Sequence, residues 1–150
     1  MFFYVFFTLC LIYWCGNIFM ADLRRRIIPD VHLFPLLLLG LVVVHTIPWV
    51  CTPTESIIGA CCGYIIPTIT GLIFDKIKPN SKYPSIGMGD IKLITCGGIW
   101  LGTIGLVIAI LIASITGLIW GKYKKEKYIP FGPFFIIGGF LSFLIIKFLL

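Results

Sequence analysis

Charge is what this chain has least of. No Asp, Glu, Lys or Arg occurs between Met1 and Ala21 or between Leu93 and Gly121, and only six acidic residues occur in 150. Together with 59% apolar residues and a mean hydropathy of +1.08, that scarcity excludes an ordinary soluble domain, whose surface needs charge. Strict polar–apolar alternation is missing too, and the apolar runs are too long and continuous for the strands of a membrane barrel. C-x-x-C pairs are also lacking. Cys10, Cys15, Cys51, Cys61, Cys62 and Cys96 fall mostly inside apolar runs, where a thiol behaves as a small apolar residue; neither a structural zinc site nor a disulfide framework is expected. No basic stretch precedes the first apolar run, which is longer than the core of a secretory signal, so a membrane span is expected there.

What remains is one all-α integral membrane domain over residues 1–150, since lipid admits only helices or closed barrels. The net charge of +6 could suggest nucleic acid. The bases, however, cluster beside apolar runs and mark topology and attraction to anionic lipid headgroups instead. Arg24–Arg26, Lys76–Lys82 and Lys122–Lys127 are the three basic groups. All three fall on the cytoplasmic side only if the uncharged stretch from residue 93 to 121 crosses twice, turning near Gly102. The expectation is therefore six spans, at about 1–21, 31–50, 56–74, 86–101, 103–121 and 131–149, with both termini on the non-cytoplasmic side and Lys147 the one stray base.

Against that apolar background Gly87-Met88-Gly89-Asp90-Ile91-Lys92 stands out. An acid at membrane depth is costly and usually functional, and the glycines permit close backbone approach. A catalytic Asp90 needs a partner at matching depth. Glu55 falls at the outer face and reads as an interfacial cap, Asp75 beside Lys76 as a solvated charge, and Glu126 as part of a basic loop. Asp30, after Pro29, reads as the N-cap of the second span. Asp22 lies at the depth of Asp90. Its structural reading is an ion pair with Arg25 or Arg26; its functional reading is the second carboxylate of a pair. Two carboxylates a few ångströms apart share a proton. The ionised one can then activate water while the protonated one polarises a carbonyl.

Three ordered segments resemble the type IV prepilin leader peptidases, membrane aspartic proteases of the GxGD type. Asp22-Leu23 with Arg26-Ile27-Ile28-Pro29-Asp30 is similar to the segment carrying that family's first catalytic aspartate. Gly87–Leu93 is similar to the segment carrying the second, and Ile129-Pro130-Phe131-Gly132-Pro133-Phe134 to the proline-rich start of its last helix.

The resemblance implies a multi-pass enzyme of the bacterial cytoplasmic membrane, with Asp22 and Asp90 catalytic and no metal or cofactor. Gly87, Gly89, Lys92, Pro29 and Asp30 would support the site. The implied substrate is a prepilin or pseudopilin, cut at the end of its short basic leader before an apolar helix; lipid is the other partner, and nucleic acid is not one. Longer members carry paired C-x-x-C motifs before the first span and also methylate the new N-terminus. This sequence has neither those motifs nor a glycine loop for S-adenosylmethionine, so the resemblance carries the peptidase and not the methyltransferase. The rival readings are a small transporter or channel using Asp22 and Asp90, and a non-catalytic pilus or secretion assembly protein. Gly97, Gly98, Gly138 and Gly139 are expected to serve helix packing in preference to substrate docking.

Overall fold

The computed structural model describes residues 2–77, 84–125 and 129–149. Lys78, Lys82, Glu126 and Lys127, assigned above to loops, lie outside those segments. Five helices follow one another: α1 (Phe2–Arg25), α2 (Asp30–Thr46), α3 (Pro53–Ile77), α4 (Met88–Lys124) and α5 (Phe131–Leu149), with no strand among the described residues. By length and composition α1, α3, α4 and α5 can each cross a membrane, and α2 is a shorter apolar helix of 17 residues. Large apolar side chains cover the outer faces, Val31, Phe34 and Leu118 among them. That is the surface a lipid solvent favours.

Local chemistry sets the helix limits. Arg26 adopts a left-handed φ of 54° and ends α1. Pro29, with φ −73° and ψ 128°, takes the N-cap position of α2, so the expectation that Asp30 caps this helix is not met: Asp30 is its first helical residue. The second helix also stops sooner than expected. Ile47 is forced to an extended φ/ψ of −127°/141° by the proline that follows it. For Glu55 the capping expectation holds. Its Oε2 accepts from the Thr52 backbone N–H at 2.8 Å while the Glu55 N–H donates to Thr52 Oγ1 at 3.3 Å, a reciprocal capping box at the start of α3.

The chain reverses inside α4. Gly102 has φ +67° and ψ −170°, a left-handed value that glycine tolerates readily. A Cβ added at Gly63 would lie 2.9 Å from the Ile94 carbonyl oxygen and 3.1 Å from Leu106 Cδ2. A straight helix would separate residues 94 and 106 by about 18 Å. The arms 88–101 and 103–124 therefore lie side by side, and α3 and α5 pack against them.

Small residues allow that packing. A Cβ on Gly59 would meet the Gly98 carbonyl oxygen at 2.7 Å, and one on Gly98 would run into the Gly59 backbone. Gly138 faces the Ala109 backbone in the same way, and Gly97 faces the Phe135 ring, so Gly97, Gly98 and Gly138 serve internal packing as expected. A Cβ on Gly139 would meet only Leu101, at 3.6 Å. Buried polar groups hold the corner near Gly102. Ser56 Oγ donates to the Ile99 carbonyl and Ser142 Oγ to the Gly105 carbonyl, each at 2.7 Å. Trp100 Nε1 donates to the Leu36 carbonyl at 3.0 Å, and Trp49 Nε1 to the Trp100 carbonyl at 2.7 Å.

Since the α3–α4 contact is backbone on backbone, no rotamer change can absorb an added methyl. Gly98→Ala is expected to lower thermal stability in detergent by about 1–3 kcal/mol or more, the range of overpacked cores. Cys61→Ala, on an exposed face of α3, is expected to stay within about 0.5 kcal/mol. Thermal unfolding of the purified variants measures both.

Candidate active site

Asp22 lies one turn before the end of α1 and is only 4% exposed. Its Oδ2 accepts a 2.7 Å hydrogen bond from the Gly132 backbone N–H. Gly132 is the second residue of α5, so that N–H has no partner within its own helix. The carboxylate satisfies it across 110 positions of sequence. Any side chain at 132 would collide, because an added Cβ would lie 2.8 Å from Asp22 Oδ2.

Asp90 comes from the other direction, in the first turn of α4. Gly87, with φ −67° and ψ 138°, caps that helix. Its carbonyl accepts from the Ile91 N–H at 3.2 Å. Both motif glycines have ordinary negative φ, so space and not conformation accounts for them. A Cβ on Gly87 would lie 3.2 Å from Asp90 Oδ2, and one on Gly89 would lie 3.1 Å from Ile28 Cβ. Gly89 thus lets α4 rest on the buried Ile28, which Pro29 holds outside both neighbouring helices.

Asp22 and Asp90 line one cavity of about 380 Å³ together with Arg26, Gly87, Gly89 and Phe131, close enough for the charge of one to act on the other. That volume holds several waters. The apolar part of the wall is Ile27, Ile28, Ile129 and Pro130. Such a site can hold a water against one carboxylate while the other donates to a carbonyl oxygen, with the proton held by the pair as a unit.

The remaining described acids are engaged elsewhere. Asp30 accepts from Lys92 Nζ at 2.8 and 2.7 Å, an exposed ion pair joining α2 to α4, which gives Lys92 a structural partner. Asp75 is more than a solvated charge: its Oδ1 accepts from the Ser85 backbone N–H at 2.8 Å and from Ser85 Oγ at 2.6 Å. This ties the end of α3 to the chain just ahead of Gly87. Neither link was legible in the sequence, since nothing in residue spacing pairs positions 75 with 85 or 30 with 92. Gly132 stood within a noted motif, but its contact with Asp22 had no signal. Among the described residues no three His, Cys, Asp or Glu side chains gather as a metal-ligand set.

Fold and site together define a helical protein of membrane-spanning character with two carboxylates facing one cavity at the ends of α1 and α4. Comparison with known families matches residues 9–122 to the type IV leader peptidase family, and the chain belongs to that family. The match takes in both aspartates. Prepilin leader peptidase/N-methyltransferase of Dickeya chrysanthemi is 33% identical over 137 residues, covering 83% of this chain and 47% of that protein. The protein of the same name from Aeromonas salmonicida is 31% identical over 130 residues, covering 82% of this chain and 43% of its own length. That from Xanthomonas campestris is 31% identical over 130 residues, covering 81% and 44%. The chain therefore spans less than half the length of these relatives. No solved structure matches it.

The Asp30–Lys92 pair is exposed at both partners, 58% and 44%, so water screens it. Asp30→Asn and Lys92→Gln are each expected to cost about 1 kcal/mol or less in stability. Their coupling in a double-mutant cycle of detergent unfolding is expected to be no larger.

Proposed function

We propose that this chain is an aspartic endopeptidase that removes the short basic leader from type IV prepilins or prepilin-like proteins. The observation that carries this reading is the shared cavity of Asp22 and Asp90, both within the segment that matches the leader peptidase family. One carboxylate takes a proton from water as the water oxygen bonds to the scissile carbonyl carbon. The other gives its proton to the carbonyl oxygen. The tetrahedral intermediate then collapses, the C–N bond breaks, and the amine leaves with a proton from the pair, so one peptide and one water become an acid and an amine. Gly87 keeps room around Asp90 and Gly89 lets α4 rest on Ile28, and the Asp30–Lys92 and Asp75–Ser85 links fix α4 relative to α2 and α3.

The site works at the cytoplasmic face of the bacterial inner membrane, in a chain that crosses six times, with both termini on the other side. The reversal at Gly102 supports two crossings by α4, and the basic residues support the sidedness. Lipid surrounds the outer apolar faces.

Purified protein is expected to cleave a type IV prepilin. Asp22→Asn and Asp90→Asn should each lower kcat/KM at least about 100-fold, the scale of general acid–base catalysis, with folding retained. Cleavage persisting in Asp22→Asn would remove it from the pair. Single cysteines at Lys76→Cys and Lys124→Cys should react with a membrane-impermeant reagent from the same face; opposite faces would overturn the six crossings.

A further inference from the structure

Beside the aspartate cavity lies a larger apolar groove of about 1170 Å³ between α1 and α5, with the first arm of α4 as its floor. We propose that this groove seats an apolar helix of the substrate and presents the peptide bond at the end of that helix to Asp22 and Asp90. This rests on the endopeptidase reading above and assigns how the substrate is held.

Continuity carries the argument. The groove is lined by Phe19, Leu93 and Phe135. These lie three residues from Asp22, three from Asp90 and four from Phe131, so on all three helices the groove begins one turn from the cavity. A chain cut in the middle has to leave the cavity on both sides of the scissile bond, and the groove offers one such path along three apolar helices. The groove reaches Thr8 on α1 and Ile146 on α5, a run of about 16 Å from Phe19 or Phe135, or some 11 residues of helix.

The chemistry of the walls fixes the form of the occupant. Trp49 and Trp100 both line the groove, and the indole N–H of each already donates to a carbonyl of this chain. An extended segment lying on these apolar walls would leave its own N–H and C=O groups unpaired, at several kcal/mol each in this medium, whereas a helix satisfies them internally. Trp49 packs edge-on to Trp100 and against Phe143 along the wall, and Lys147 lies at the far end.

The two facing walls also carry glycines that the fold does not use. A Cβ on Gly16 would meet nothing within 4 Å, and one on Gly139 would meet only Leu101 Cδ1, at 3.6 Å. By contrast, Gly59, Gly98 and Gly138 press on backbone. Gly16 and Gly139 leave space for a visiting helix to approach closely.

Two arms test the proposal with a type IV prepilin in detergent. In the first, Gly16→Leu and Gly139→Leu fill the groove. Each is expected to raise KM for the prepilin at least tenfold with kcat within twofold, while Cys61→Leu on the outer face of α3 changes neither. Unchanged KM in both groove variants overturns the proposal, as does an equal loss of kcat, which would mean damage to the site. In the second arm, prepilin carrying a photo-crosslinker in its apolar segment is irradiated with the wild-type protein. Attachment to α1 or α5 supports the groove; attachment confined to α3 or to detergent and lipid overturns it. Crosslinking to α1 or α5 without any cleavage would retain the groove and overturn the peptidase reading instead.

Discussion

The hydrogen bond from the Gly132 N–H to Asp22 Oδ2 is the contact on which the site depends. It answers two needs at once. A carboxylate nearly excluded from solvent requires a polar partner, and α5 begins without an acceptor of its own: Pro130 offers no side-chain oxygen, and the first turn holds no acid. Pro133 reduces the number of open donors further, since it has no N–H at a position where one would lack a helical partner. The Pro-Phe-Gly-Pro start of α5 is thus shaped around a residue at the far end of α1. Glycine is the one residue that lets the carboxylate approach.

The two aspartates are held by opposite means. Asp90 sits in the first turn of α4, where the unpaired N–H groups and the positive end of the helix dipole favour a negative charge. Asp22 sits in the last full turn of α1, where the dipole of its own helix disfavours it. Its favourable surroundings come from the N-terminus of α5 and from Arg26, which lines the same cavity. Two carboxylates in one small cavity repel, and each is supplied with partial positive charge from a helix start. The pair is therefore possible only where the end of one helix meets the starts of two others.

Much of this was legible because membrane proteins write their topology in charge. The uncharged stretch from residue 93 to 121 is long enough for a single tilted helix, and the sidedness of the basic groups alone argued for a turn near Gly102, where the backbone does reverse. The catalytic candidates came from elimination among six acids, and of these Asp22 and Asp90 line one cavity. Asp30 was misread because Pro29 supplies the extended φ/ψ of an N-cap, which leaves the acid inside the helix and free to reach Lys92. The bond from Asp75 to Ser85 and the groove beside α5 had no sequence signal. Both depend on how the ends and faces of separate helices are set against one another, and residue spacing within a helix carries nothing of that.

Glycine shows the same limit from the other side. Gly98 and Gly139 look alike in the sequence, each in a Gly-Gly pair within an apolar run, yet Gly98 is pressed against the backbone of α3 and Gly139 opens on the groove. Composition marks where helices can come close; only the fold decides whether the neighbour belongs to the same chain. On the proposed reading this distinction bears on the chemistry. A peptide bond inside a membrane helix is shielded by its own hydrogen bonds and by lipid, so water cannot attack it there. Placing the carboxylates at helix ends, one turn beyond the groove, meets the substrate where its helix gives out. There the backbone can extend, water can reach it, and the apolar segment is still held.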